Sequence, residues 1–178
     1  MCSSDLLRLA TAFLVLAPAT ASAHPGHGAA GLVHGFMHPL GGFDHIIAML
    51  AVGMLAARLG GRALWLVPAS FVTAMTVAGF ASSTGVALPY AETGIAVSVV
   101  ALGAVAAFWI AMPVAAAMGL VGFFAVFHGY AHGLEMPETA SGLAYGAGFV
   151  AATAMLHGVG IGLGLVIAHA GRSAVRAV

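Results

Sequence analysis

Lysine is absent from this chain, and charge is confined to five arginines and five carboxylates among 178 residues. So little charge cannot cover a water-soluble globule, and it offers no basic surface to nucleic acid. Cysteine occurs once, at Cys2. That excludes an internal disulfide and a metal site of the cysteine type. No glycine-rich phosphate loop is present, so no ATP-driven step resides in the sequence.

What remains is apolar. Hydrophobic residues make up 62% of the chain, against roughly 45–50% in an ordinary soluble domain. The composition predicts an all-α, polytopic transmembrane bundle. Residues 1–23 read as a signal peptide: Arg8 precedes the apolar run Leu9 to Ala17, and Ala21-Ser22-Ala23 suits a signal peptidase. That run is short for a membrane span, which needs ~20 residues. Residues 24–178 then form a single transmembrane domain.

Five spans are expected in it, at about 32–57, 63–83, 92–110, 114–134 and 143–169. With five spans, Arg58, Arg62, Arg172 and Arg176 share one side and the acidic loops share the other. Basic residues stay inside, so the C-terminus is expected in the cytoplasm and the mature N-terminus outside. Cleavage of a signal peptide demands the same orientation. Glycine is frequent, with 25 residues, and the pairs Gly129/Gly133, Gly142/Gly146, Gly158/Gly162 and Gly160/Gly164 are spaced for close helix packing.

Two motifs interrupt the hydrocarbon pattern: His38-Pro-Leu-Gly-Gly-Phe-Asp-His45 and Phe127-His-Gly-Tyr-Ala-His-Gly-Leu-Glu135. Imidazoles and carboxylates are costly inside a bilayer, so a helix that keeps them uses them. His128, His132 and Glu135 fall on one helical face by their spacing. Pro39, Gly41 and Gly42 predict a broken or bulged helix, which could swing Asp44 towards the same centre. His34 lies one turn before His38, and Glu92 opens the third span on the same side. After cleavage, the amine and imidazole of His24 could chelate an ion as a capture antenna. Metal-ligand candidates are therefore His24, His34, His38, Asp44, His45, Glu92, His128, His132 and Glu135. Glu92 could instead be an ordinary interfacial residue. His157 stands alone in the fifth span, either as an interhelical hydrogen bond or as part of the site. His169 reads as interfacial.

Imidazoles with carboxylates suit a borderline divalent cation, and Met37 beside His38 keeps Cu(I) open. Three functions fit the residues. One is a metal permease. A second is an intramembrane metal-dependent hydrolase with a His/Asp zinc site. A third is a bis-histidine haem protein.

Both motifs, in this order, resemble the signatures of the HupE/UreJ family of small bacterial membrane proteins. His38, Pro39, Gly41, Gly42, Phe43, Asp44 and His45 match the first, and Phe127, His128, Gly129, Ala131, His132, Gly133 and Glu135 match the second. The resemblance implies a secondary permease rather than an enzyme. It would sit in the bacterial inner membrane and supply nickel to hydrogenase or urease. Its cargo would be Ni(2+), with cobalt left open, and no cofactor would be permanently bound. Its partners would be the divalent ion and the lipid bilayer, and a homo-oligomer stays open.

Overall fold

The computed structural model describes residues 31–136 and 142–176. The expected signal peptide, His24 and the Glu138 loop lie outside the described residues. Seven helical elements follow one another: α1 (Gly31–Met37), a single 3-10 turn (His38–Leu40), α2 (Phe43–Leu59), α3 (Ala63–Ser82), α4 (Ala91–Ala107), α5 (Val114–Leu134) and α6 (Gly142–Arg176). There is no strand among the described residues.

Three helices are long and apolar enough to cross a membrane, namely α3, α5 and residues 142–170 of α6. The pair α1/α2 makes a fourth if it is one broken span. α4 is apolar but has 17 residues, about 26 Å of helix against the ~30 Å of a hydrocarbon core. Each expected apolar segment is thus helical. The first, however, is not the continuous span from 32 to 57, because its halves meet at 81°. Pro39 occupies the start of the 3-10 turn, and Gly42 is extended (φ −110°, ψ 121°) before α2 begins. A ring without an N–H followed by two glycines cannot hold an unbroken α-helix.

Backbone contacts fix the helix directions. Gly53 lies against His157 and Gly160, and Gly164 lies against Met54 and Ala57, so α2 and α6 run in parallel. Gly129 meets Met75 and Gly133 meets Gly79, so α3 and α5 also run in parallel. Thr153 bonds Met75, and His157 touches Phe71 four residues earlier, so α3 opposes α6. The Arg58 guanidinium lies 5.5 Å above the Trp109 ring, just past α4, which places the ends of α2 and α4 together. One end of the bundle therefore carries Arg58 and the arginine-bearing end of α6. The opposite end carries both histidine motifs and the start of α4.

Glycine makes this packing possible. A Cβ at Gly129 would overlap the Met75 carbonyl, and one at Gly160 would overlap that of Leu50. In lipid, helices are held by such close contact rather than by transfer from water. The expected close approach holds for Gly129/Gly133 and Gly160/Gly164. Gly146, Gly158 and Gly162 instead look onto open space. Phe71, Met49, Leu55 and Leu102 fill the centre, while Trp65, Phe123 and Val166 face outwards. An exterior as apolar as the interior is what hydrocarbon solvent requires. Hydroxyls inside the helices return to their own backbone, as Ser70 does to Val67 and Thr76 to Val72, each at 2.7 Å.

Candidate metal centre

The break at Gly41–Gly42 lets one short stretch supply ligands from two directions. His38 comes from the 3-10 turn, while Asp44 and His45 come from the first turn of α2. Oδ1 of Asp44 accepts the backbone N–H of His45 at 2.9 Å, near the positive end of that helix. His128 and His132 descend from the last turns of α5 and Glu135 caps its end, on the face their spacing predicts. The two motifs meet directly.

The outermost group is His38, His132 and Glu135, whose ligand atoms all lie within 4.8 Å of one another. Glu135 Oε2 is 2.8 Å from His38 Nε2 and 2.9 Å from His132 Nδ1. Hydrogen bonding from His132, then from His38, holds this carboxyl well below the usual carboxylate range, so it is anionic.

Further in, His132 turns its other nitrogen, Nε2, to His45 Nε2. His45 Nε2 also meets His128 Nδ1 at 3.0 Å. His128 Nε2 then meets the Ser98 hydroxyl of α4 at 2.8 Å. Exposure falls along this series. The side chains of Glu135, His38, His132 and His45 are 53%, 27%, 12% and 6% exposed, and His128 is fully buried. The result is a line of donors from the end of the bundle to its interior.

The hydrogen bonds on the far nitrogens assign which nitrogen each neutral ring offers. The Ser98 hydroxyl donates to the Ile95 carbonyl at 2.6 Å, so its oxygen accepts from His128 Nε2–H. The His128 lone pair is then on Nδ1, facing His45. His45 donates Nδ1–H to Asp44 Oδ1 at 3.2 Å, which leaves its lone pair on Nε2. His132 donates Nδ1–H to Glu135, which leaves its lone pair on Nε2 as well. In their neutral forms, so assigned, the three imidazoles turn lone pairs towards one another. Only a cation, a proton or a metal ion, makes such a junction favourable. Orienting a ligating imidazole through its second nitrogen is a recurring feature of metal sites.

Aromatic rings of α6 wall the site. Phe149 stands 4.7 Å from the His132 ring centroid, and Tyr145 stands 5.7 Å from that of His38. An apolar cavity of about 340 Å³ between α3, α5 and α6 reaches His132, lined in part by Met75, Gly129, Tyr145 and Phe149.

Six expected ligands come together: His38, Asp44, His45, His128, His132 and Glu135. His34 is set apart on α1, with its ring 6.4 Å from that of His38 and 5.6 Å from that of Tyr145. Glu92 is exposed at the start of α4, at the same end of the bundle, with no hydrogen bond or ion pair to the described histidines. His157 is buried, and neither ring nitrogen has a hydrogen-bond partner among the described residues, against one of its two sequence readings, an interhelical hydrogen bond. Ser98 and Tyr145 escaped the sequence reading. An isolated serine in an apolar helix was the available signal for the first. The second had none.

Comparison with known proteins places these motifs in context. The family model described as HupE / UreJ protein matches residues 12–178. Protein HupE of Rhizobium leguminosarum bv. viciae is 46% identical over 157 residues, covering 88% of this chain and 82% of that relative. No solved structure matches the chain.

Proposed function

This chain belongs to the HupE/UreJ family, and on that premise we propose that it is a secondary permease for nickel. It carries the ion across the bacterial inner membrane towards the cytoplasm, for hydrogenase or urease maturation, and cobalt is the natural competitor. Nickel itself comes from the family resemblance, whereas the residues specify a borderline divalent cation.

The observation that carries the reading is the graded line of donors from Glu135 to His128. A catalytic metal site holds its ion in one place. Here donors continue from the exposed end into the core, and a conducting site must bind at several weak stations so that the ion can leave. In this reading His38, His132 and Glu135 capture the ion at the mouth. His132 then passes it inwards, because its two nitrogens face the outer and inner groups. A neutral imidazole has one lone pair, so His132 serves the inner group with its proton on Nδ1 and the outer group only when that proton moves to Nε2. Asp44 and Ser98 orient His45 and His128 and add charge or polarity beside the path. Glu92 and His34 act as accessory groups at the mouth.

Orientation follows from the two ends. The arginine end faces the cytoplasm by the positive-inside rule, and the histidine end faces outwards. The five-span count treats α1/α2 as one broken span and α4 as a short one. Irregular backbone at membrane depth is tolerated where it lines a cavity, which suits the break beside His38.

A haem reading has little support, since histidines in direct contact leave no slot for a porphyrin between them. The purified protein in liposomes loaded with a nickel-sensitive chelating dye tests the proposal. Dye quenching by external nickel without nucleotide is the expected outcome. A silent dye, with tightly held stoichiometric zinc in the protein, would favour the hydrolase.

A further inference from the structure

His157 lies in the middle of α6, 1% exposed, with both ring nitrogens unpartnered among the described residues. Buried polar atoms are nearly always satisfied, and an ionisable side chain within a membrane helix is seldom idle. The family signatures do not include it. Its surroundings are apolar or backbone: the Phe71 ring lies edge-on at 5.2 Å, and α2 packs close through Gly53.

Its place relative to the histidine line is specific. Along α6, Phe149 packs on His132 and His45. His157 follows eight residues later, ~12 Å nearer the arginine end. On α5, His128 is one turn below His132. Phe71 of α3, fully buried, touches both sides of this gap: its centroid is 5.6 Å from that of His128 and 5.2 Å from that of His157. A single aromatic ring therefore links the innermost histidine of the described site to a further unpartnered imidazole.

We infer that His157 is an additional ion station, lying beyond Phe71, which receives the divalent cation from His128 on its way to the arginine end. This rests on the permease reading. Phe71 acts as the constriction between the two stations, and the cation crosses when the ring moves aside. With no described residue to satisfy its nitrogens, His157 offers a lone pair whichever tautomer it adopts. The Met75 thioether, 3.9 Å from Thr153 Oγ1 one turn before His157, is a softer donor on the same seam.

A structural role and a transport role predict opposite results for an apolar replacement. Removing an unsatisfied buried polar group leaves a helix bundle as stable or more so. The test compares wild type, His157→Leu and His157→Gln in cells lacking their own nickel importers. It measures radiolabelled nickel uptake at matched membrane levels, and nickel binding to each purified protein. The inference expects both variants to accumulate, to bind nickel at the outer group within twofold of wild type, and to lose at least tenfold in maximal uptake. Uptake near wild type in His157→Leu would overturn the inference and leave the permease reading standing. Failure of both variants to accumulate would mark the imidazole as structural and equally overturn it. A well-expressed wild type without uptake would bring down the permease reading, and this inference with it.

Discussion

His128 Nδ1 and His45 Nε2 face each other at 3.0 Å in the core of the bundle, each turned there by a hydrogen bond on its other nitrogen. One bond comes from Ser98 on α4 and the other from Asp44 on α2. The pair is a junction of two lone pairs, and its natural occupant is a cation.

Ser98 is accordingly a positioning residue. In Ser98→Ala, His128 loses the acceptor that holds its Nε2–H and is free to adopt the other tautomer. Removing such an orienting partner typically costs ~10–100-fold in metal affinity. Nickel uptake should show a KM raised by about tenfold, with protein level unchanged. An unaltered KM would remove Ser98 from the site.

Glycine substitutions should divide by their surroundings. Gly129→Val places branched carbon where the Met75 carbonyl stands, so α3 and α5 cannot close, and the protein should fail to accumulate in membranes. Gly158→Ala meets open space and should be neutral or slightly stabilising, since alanine is favoured over glycine in a helix by up to ~1 kcal/mol. Equal accumulation of the two variants would contradict the packing described.

Uptake should fall with acid. Imidazole binds metal only when unprotonated, so protons compete with the ion for the histidines as the medium is acidified. The Glu135 carboxylate is not the source of this decline. Its lowered pKa keeps it charged until pH falls far below the assay range, so its charge is constant between pH 7.5 and 5.5. Uptake that stays flat down to the lowest pH at which the protein remains folded would argue against histidine ligation in the rate-determining state.

The end-to-end asymmetry predicts topology. A reporter fused at Met112, beyond α4 at the arginine end, should be cytoplasmic, and one at Ser83 should be extracytoplasmic. The reverse pattern would invert the direction of transport.

Much of this site is legible in the chain because its spacing is local. His128, His132 and Glu135 share a face by helical periodicity alone, and Pro39 with Gly41 and Gly42 announces a break. The 81° angle at that break is not legible, since it depends on how α1 packs on Tyr145 and Leu32 on Gly148. Nor is the role of Ser98, which depends on α4 lying beside α5. Gly158/Gly162 and Gly160/Gly164 have identical spacing, yet only the second pair meets another helix, because the two pairs lie on different faces of α6. The unpartnered state of His157 is likewise a tertiary property, set by Phe71 and the close approach of α2.

The central claim is that a divalent ion travels along both histidine motifs. Its most direct test is radiolabelled nickel uptake in cells lacking their own importers, comparing wild type with His45→Ala and His132→Ala at matched membrane levels. The account predicts uptake by wild type and at least a tenfold loss in each variant. Wild-type rates in either variant, with the protein correctly inserted, would contradict it.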